Sequence, residues 1–125
     1  MLETICDELR DIGLAPRIVE FPGFSHSSRA VIFDVEVQHG RYKGAILAIA
    51  VSFQEDAYPE YPPHFVHFKS SIDTKFREHT THVFEGERWS AYSLPPSDRW
   101  DTLETSQKNM RTYYRWHLIR LLNQL

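Results

Sequence analysis

Tyr58-Pro59-Glu60-Tyr61-Pro62-Pro63 carries three prolines in one short string, and it fixes where the chain must leave a sheet. Proline has no N–H to give to a ladder and holds φ near one value, so a central strand has to end before it. Just upstream, Ala45 to Phe53 is almost continuously apolar, the pattern of a strand buried on both faces. Downstream, His64 to Phe68 reads as the returning strand. Further back, Ala30 to Gln38 alternates, with Val31, Phe33, Val35 and Val37 on one face and Asp34, Glu36 and Gln38 mostly on the other. His39-Gly40-Arg41-Tyr42-Lys43-Gly44 lies between these two runs and supplies two glycines for a reversal, so the pair reads as an antiparallel hairpin.

The flanks complete the pattern. Leu2, Ile5, Cys6, Leu9 and Ile12 recur at three- and four-residue steps, and Gly13 and Pro16 close that amphipathic helix. Arg17 to Phe24 holds room for a short strand, and Gly23-Phe24-Ser25-His26-Ser27-Ser28 reads as a turn or loop. Lys69 to Asp98 is polar and irregular with aromatics interspersed, which predicts a long ordered loop segment. Asp101 and Glu104 have capping-box spacing, and Leu103, Met110, Tyr114, Leu118, Leu121 and Leu125 trace a helical stripe to the end of the sequence. The predicted class is α+β: an N-terminal helix, a four-stranded antiparallel meander, a long irregular segment and a C-terminal helix in one domain, 1–125.

Bulk properties narrow the chemistry. A formal charge of −3, with 14 basic and 17 acidic residues mixed along the chain, leaves no basic footprint for nucleic acid or anionic membrane. The lone Cys6 excludes an internal disulfide and suits a reducing compartment, and no apolar run reaches the ~18 residues of a membrane span. Met1-Leu2-Glu3 lacks the basic flank and apolar stretch of a signal peptide, so a cytoplasmic location is expected. Aromatics make up 14% of the chain, enough for rings to supply much of the core or a binding surface.

The order of elements and the residues at their joints resemble the ubiquitin-conjugating-enzyme-like superfamily. In that family a strand ends before Tyr-Pro-x-x-Pro-Pro, and a His-Pro-Asn motif follows. A glycine stands seven residues after that histidine, and the catalytic cysteine three residues further on. Here Phe53 and Tyr58 to Pro63 match the strand end and the proline string, His79-Thr80-Thr81 and Gly86 keep the later spacing, and Trp89 stands at the cysteine position. Trp100, after Leu94-Pro95-Pro96, is similar to the tryptophan that precedes the family's next helix. Thr80 and Thr81 replace the proline and the asparagine, so the supporting amide is missing together with the thiol. The resemblance therefore implies a divergent, cysteine-less member, of the kind found in bacterial ubiquitin-like conjugation gene clusters. It would be a pseudoenzyme, a binding scaffold whose partners are a ubiquitin-like protein or an activating or conjugating enzyme of the same pathway.

Two other readings stay open beside it. Ser90 is adjacent to Trp89 and could form an oxyester with His79 or His82 as base, which would make the chain a noncanonical transferase. Alternatively the chain is an RWD-like protein-interaction module. Tyr58, Tyr61, Trp89 and Trp100 are the expected binding residues, while Cys6 on an apolar helix face reads as an inert core thiol. The pairs His64-x-x-His67 and His79-x-x-His82 lack cysteine support, and in a strand residues three apart face opposite ways, so no metal site and no cofactor is expected. Arg88, Arg99 and Asp101 read as solvated or loop-pairing charges, and an arginine near the groove that would receive a ubiquitin-like tail, beside Trp89, could hold a terminal carboxylate.

Overall fold

The computed structural model describes residues 1–24, 28–54 and 56–125; residues 25–27, inside the loop expected from Gly23 to Ser28, and residue 55 lie outside the described residues. Helix α1 (Leu2–Arg10) buries Leu2, Ile5, Cys6 and Leu9, the positions its periodicity selects. It ends through Gly13, whose φ of +90° is open to glycine and strained for any L side chain, and whose N–H donates to the Arg10 carbonyl at 3.0 Å.

Six strands follow: β1 (Arg17–Glu20), β2 (Arg29–Glu36), β3 (Ile46–Ser52), β4 (Phe65–Lys69), β5 (Thr80–Phe84) and β6 (Glu87–Ser93). All pair antiparallel, in the order β1-β2-β3-β4-β6-β5. The first four form the meander. Strands β5 and β6 correct the expectation of four strands and a long irregular segment. Glu85 and Gly86 both have positive φ, 51° and 77°, the backbone of a two-residue hairpin turn that matches strand twist, and Phe84 pairs with Glu87 across it. Alternation here was hard to read because His82 and Ser90 are buried polar residues at positions where a strand pattern asks for apolar ones.

Both faces of the sheet are covered. One carries Val31, Phe33, Val35, Ile49, Val51, Val66, Phe68 and Tyr92, and the helices pack over it. The other carries Ile32, Ala50, Phe65, Trp89 and Ala91, joined by Val19, Phe21 and Phe24 from the β1 side. The sheet curls toward this second face until its two ends meet. Phe21, just past β1, lies 4.5 Å from the His82 ring of β5, and Arg17 pairs with Glu85 at 3.1 Å. Alanines at 30, 48, 50 and 91 belong to this inner face alongside its rings.

Past β6 come α2 (Ser97–Asp101), a 3₁₀ turn (Thr105–Gln107), α3 (Met110–Tyr113), a π-helical turn (Tyr114–Leu118) and α4 (Ile119–Asn123). The last three run on without a break in helical backbone, because Tyr114 and Leu118 at the joints both keep right-handed helical angles. The expected start at Asp101 is corrected. Glu104 and Gln107 form the capping box of the 3₁₀ turn, and Asn109 caps α3 by accepting the Thr112 N–H at 3.0 Å. Met110, Leu118, Leu121 and Leu125 of the expected stripe are buried, and the difference within the helix lies at one position. Tyr113 and Leu118 are both buried although five residues apart, a spacing that a π turn brings onto one face, while Tyr114 is half-buried.

Candidate functional site

The proline string is a junction. Tyr58 OH donates to Glu8 Oε1 on α1, the same oxygen accepts the Met110 N–H at 2.8 Å, and Trp100 Nε1 donates to the Pro59 carbonyl at 2.9 Å. One turn therefore ties α1, α2 and α3 together through buried or half-buried polar groups, each with a partner. Burial, with the Glu8 carboxylate alongside, pushes the Tyr58 phenol well above its usual range, so it stays protonated as a donor.

Tyr58 is half-buried and Trp100 is buried in the helix-side core, so both serve the junction. Tyr61 points the other way. Its side chain is 56% exposed, whereas Pro62 and Pro63 beside it are buried and hold the backbone. It borders a cleft of about 210 Å³ together with Gln54, Pro62, His64, Pro95 and Ser97. His64 is anchored there, with Nε2 2.9 Å from Ser93 Oγ.

Trp89 lies in β6, paired with Lys69 of β4 and His82 of β5, and its ring is buried on the inner face at 2% exposure. The structure thus separates Trp89 from Tyr61 and Trp100 rather than bringing all three to one groove. Ser90, the next residue, faces the helix side. It is 1% exposed, donates to Glu78 Oε2 at 2.9 Å and sits 2.7 Å from Ser70 Oγ. His82 shares a face with Trp89, opposite to Ser90, so strand alternation keeps that imidazole from reaching the hydroxyl. His79 is exposed near the end of β5, its ring 5.4 Å from Phe65 of the inner face. Cys6 is 3% exposed, and burial pushes its thiol up, away from the thiolate form that attacks or binds metal.

The second members of the two i, i+3 histidine pairs come together. His67 and His82 meet on the inner face with ring centroids 5.1 Å apart, amid Phe21, Phe24 and Phe65. His67 Nε2 is 2.7 Å from Ser52 Oγ, while His67 Nδ1 and both nitrogens of His82 have no hydrogen-bond partner among the described residues. Burial pushes both imidazoles down, His67 to about 3, so both are neutral at ordinary pH. Among the described residues no group of three or more His, Cys, Asp or Glu comes together as a metal site.

Sequence reasoning passed over Trp116, which is 40% exposed with the Arg99 guanidinium 4.5 Å from its ring centre. The signal was available: Trp116 stands off the apolar stripe of its helix, where a solvated face has no packing need for a large ring. Arg88 is exposed on β6 and Asp101 ends α2 at the surface. No family model matches the chain, and neither a curated protein nor a solved structure matches it.

Proposed function

We propose that this chain is a cytoplasmic, catalytically inactive domain of the ubiquitin-conjugating-like type that binds a ubiquitin-like protein, or an enzyme of the same conjugation pathway, and acts as a scaffold. The observation that carries the reading is Tyr61, a large ring more than half exposed on a turn made rigid by Pro62 and Pro63 and pinned through Pro59 to Trp100. A preordered aromatic gives contact area at little entropic cost, the property of an interface anchor. The resemblance supplies the kind of partner, and Trp89 at the position of the family's cysteine supports the absence of thioester chemistry. The β5–β6 hairpin departs from the irregular segment expected from the polarity of 69–98, and it turns position 89 inward.

The test has two arms. Ubiquitin-like proteins and their activating and conjugating enzymes are passed over the immobilised domain, and the Tyr61→Ala variant is compared with the parent. Binding of one of these proteins is expected, weakened about thirtyfold in the variant with the melting temperature unchanged. Incubation with activating enzyme, ATP and carrier should leave no adduct of either the thiol-labile or the base-labile kind. Failure of every pathway protein to bind, or binding indifferent to Tyr61→Ala, overturns the proposal.

A further inference from the structure

The C-terminal helix segment 110–125 contains Arg111, Arg115, His117 and Arg120 and no acidic residue, in a chain whose overall charge is −3. Of the other cations, Arg10, Arg17, Arg29, Arg41 and Lys69 pair with carboxylates, while Lys43, Lys75, Arg77, Arg88 and Lys108 take part in no ion pair among the described residues. Among the described residues Arg99, Arg115 and Arg120 take part in no ion pair, and Arg99 lies instead over the half-exposed Trp116 ring. A cleft of about 310 Å³ opens at this place. Phe76, Leu94, Pro95 and Leu121 line it together with Trp116 and Arg120, and no acidic side chain does so among the described residues.

His117 fixes the wall of the cleft. Its Nε2 donates to the Leu94 carbonyl at 2.6 Å, which ties the π turn to the chain leaving β6, and burial, helped by the nearby Arg120 and Arg99, disfavours its protonation. The cleft therefore keeps a neutral imidazole as a structural bolt and presents its positive charge only at the rim. The π turn contributes directly. By bringing Tyr113 and Leu118 onto the core face it leaves Trp116 between them on the outer side.

We propose that this cleft is a docking site for an acidic segment of a partner protein, with one apolar side chain seated on Leu94, Leu121 and Trp116 and flanking carboxylates on Arg99 and Arg120. Charge complementarity selects the occupant: unpaired guanidiniums around an apolar floor are satisfied by carboxylates that flank an apolar anchor. An extended polyanion is disfavoured because the rest of the molecule is net negative. The site does not depend on the Tyr61 reading, and either can fail alone.

A displayed library of random twelve-residue peptides panned against the folded protein tests the proposal. Enriched sequences should carry Leu, Phe or Trp within two positions of at least two Asp or Glu. A fluorescein-labelled peptide made to the enriched sequence should lose affinity by about tenfold or more in Trp116→Ala and, separately, in Arg120→Glu. Val83→Ser, on the exposed surface of β5, should bind like the parent. Both sensitive positions are at the surface, so folding should survive; if Trp116→Ala fails to fold, Arg120→Glu still decides. No enrichment, enrichment of neutral or basic peptides, or binding that survives Arg120→Glu overturns the proposal. So does dimerisation lost in Trp116→Ala, which would assign the cleft to a second copy, and so does Arg120-dependent binding to phosphatidylserine vesicles or single-stranded RNA without binding to the acidic peptide.

Discussion

At the scale of single residues, the polar groups left without partners show where stability was given up. Tyr113 OH is fully buried with no hydrogen-bond partner among the described residues, and burial raises its phenol far above the ordinary value. Removing an unsatisfied hydroxyl while keeping the ring costs no interaction, so Tyr113→Phe is expected to stabilise by about 1 kcal/mol in urea titrations. His67 and His82 make the opposite case. In the unfolded chain both would titrate near the ordinary histidine value of about 6.5, while in the folded protein His67 titrates at about 3 and His82 is also lowered. Below about pH 6.5 the unfolded state therefore binds more protons than the native one. Stability is full above that pH and falls as the pH drops toward 3, with His67 alone contributing a slope of about 1.4 kcal/mol per pH unit. His117, lowered mainly by burial, adds in the same direction. Chemical denaturation across pH 4 to 8 should show this loss, and His82→Phe should reduce it while leaving the share of His67, which burial sets. A flat parent profile would remove the neutral-pair reading.

At the scale of elements, the β2–β3 hairpin and the end of the C-terminal helix hold each other. Gly40 has φ +91°, and a Cβ built there would collide with the Asn123 carbonyl, while the His39 N–H donates to Asn123 Oδ1 at 3.2 Å. Gly40→Ala combines left-handed strain with a backbone clash, so it is expected to cost about 2 kcal/mol or more. Gly44→Ala is the comparison: it shares a positive φ of +86° but meets nothing within 4 Å, so it should cost less by thermal melting. Equal losses would mean that the helix contact contributes nothing. The hairpin was readable from its two glycines; its docking on Asn123 was not, because 84 residues separate His39 from Asn123.

At the scale of the whole molecule, a sheet covered on both faces gives a gradient of protection. Strands β3 and β4 have a neighbour on each side, and Ala50, Val51 and Val66 are fully buried, while β5 is an edge strand whose Val83 is 62% exposed. Amide hydrogen exchange should be slowest at Ala50, Val51 and Val66, where it requires global unfolding, and faster by orders of magnitude in β5. Equal protection in β5 would show that its free edge is covered in solution, a direct sign of a partner or second copy.

The sequence alone determined what depends on local periodicity and on backbone exclusions. Three- and four-residue steps gave α1, alternation gave β2, and the prolines of 59 to 63 ended the third strand, because these constraints act within a few residues of chain. Tertiary structure decided the rest. Burial of Ser90 and His82 turned a polar stretch into β5 and β6, since a polar side chain can enter a core when neighbouring strands and rings enclose it. The π turn chose Tyr113 over Tyr114 for the core, and the curl of the sheet brought His67 to His82. The candidate surfaces divide in the same way. Tyr61 was legible because the proline string fixes its turn, whereas Trp116 with Arg99 and Arg120 became a site only when α2, the end of β6 and the last helix met in space.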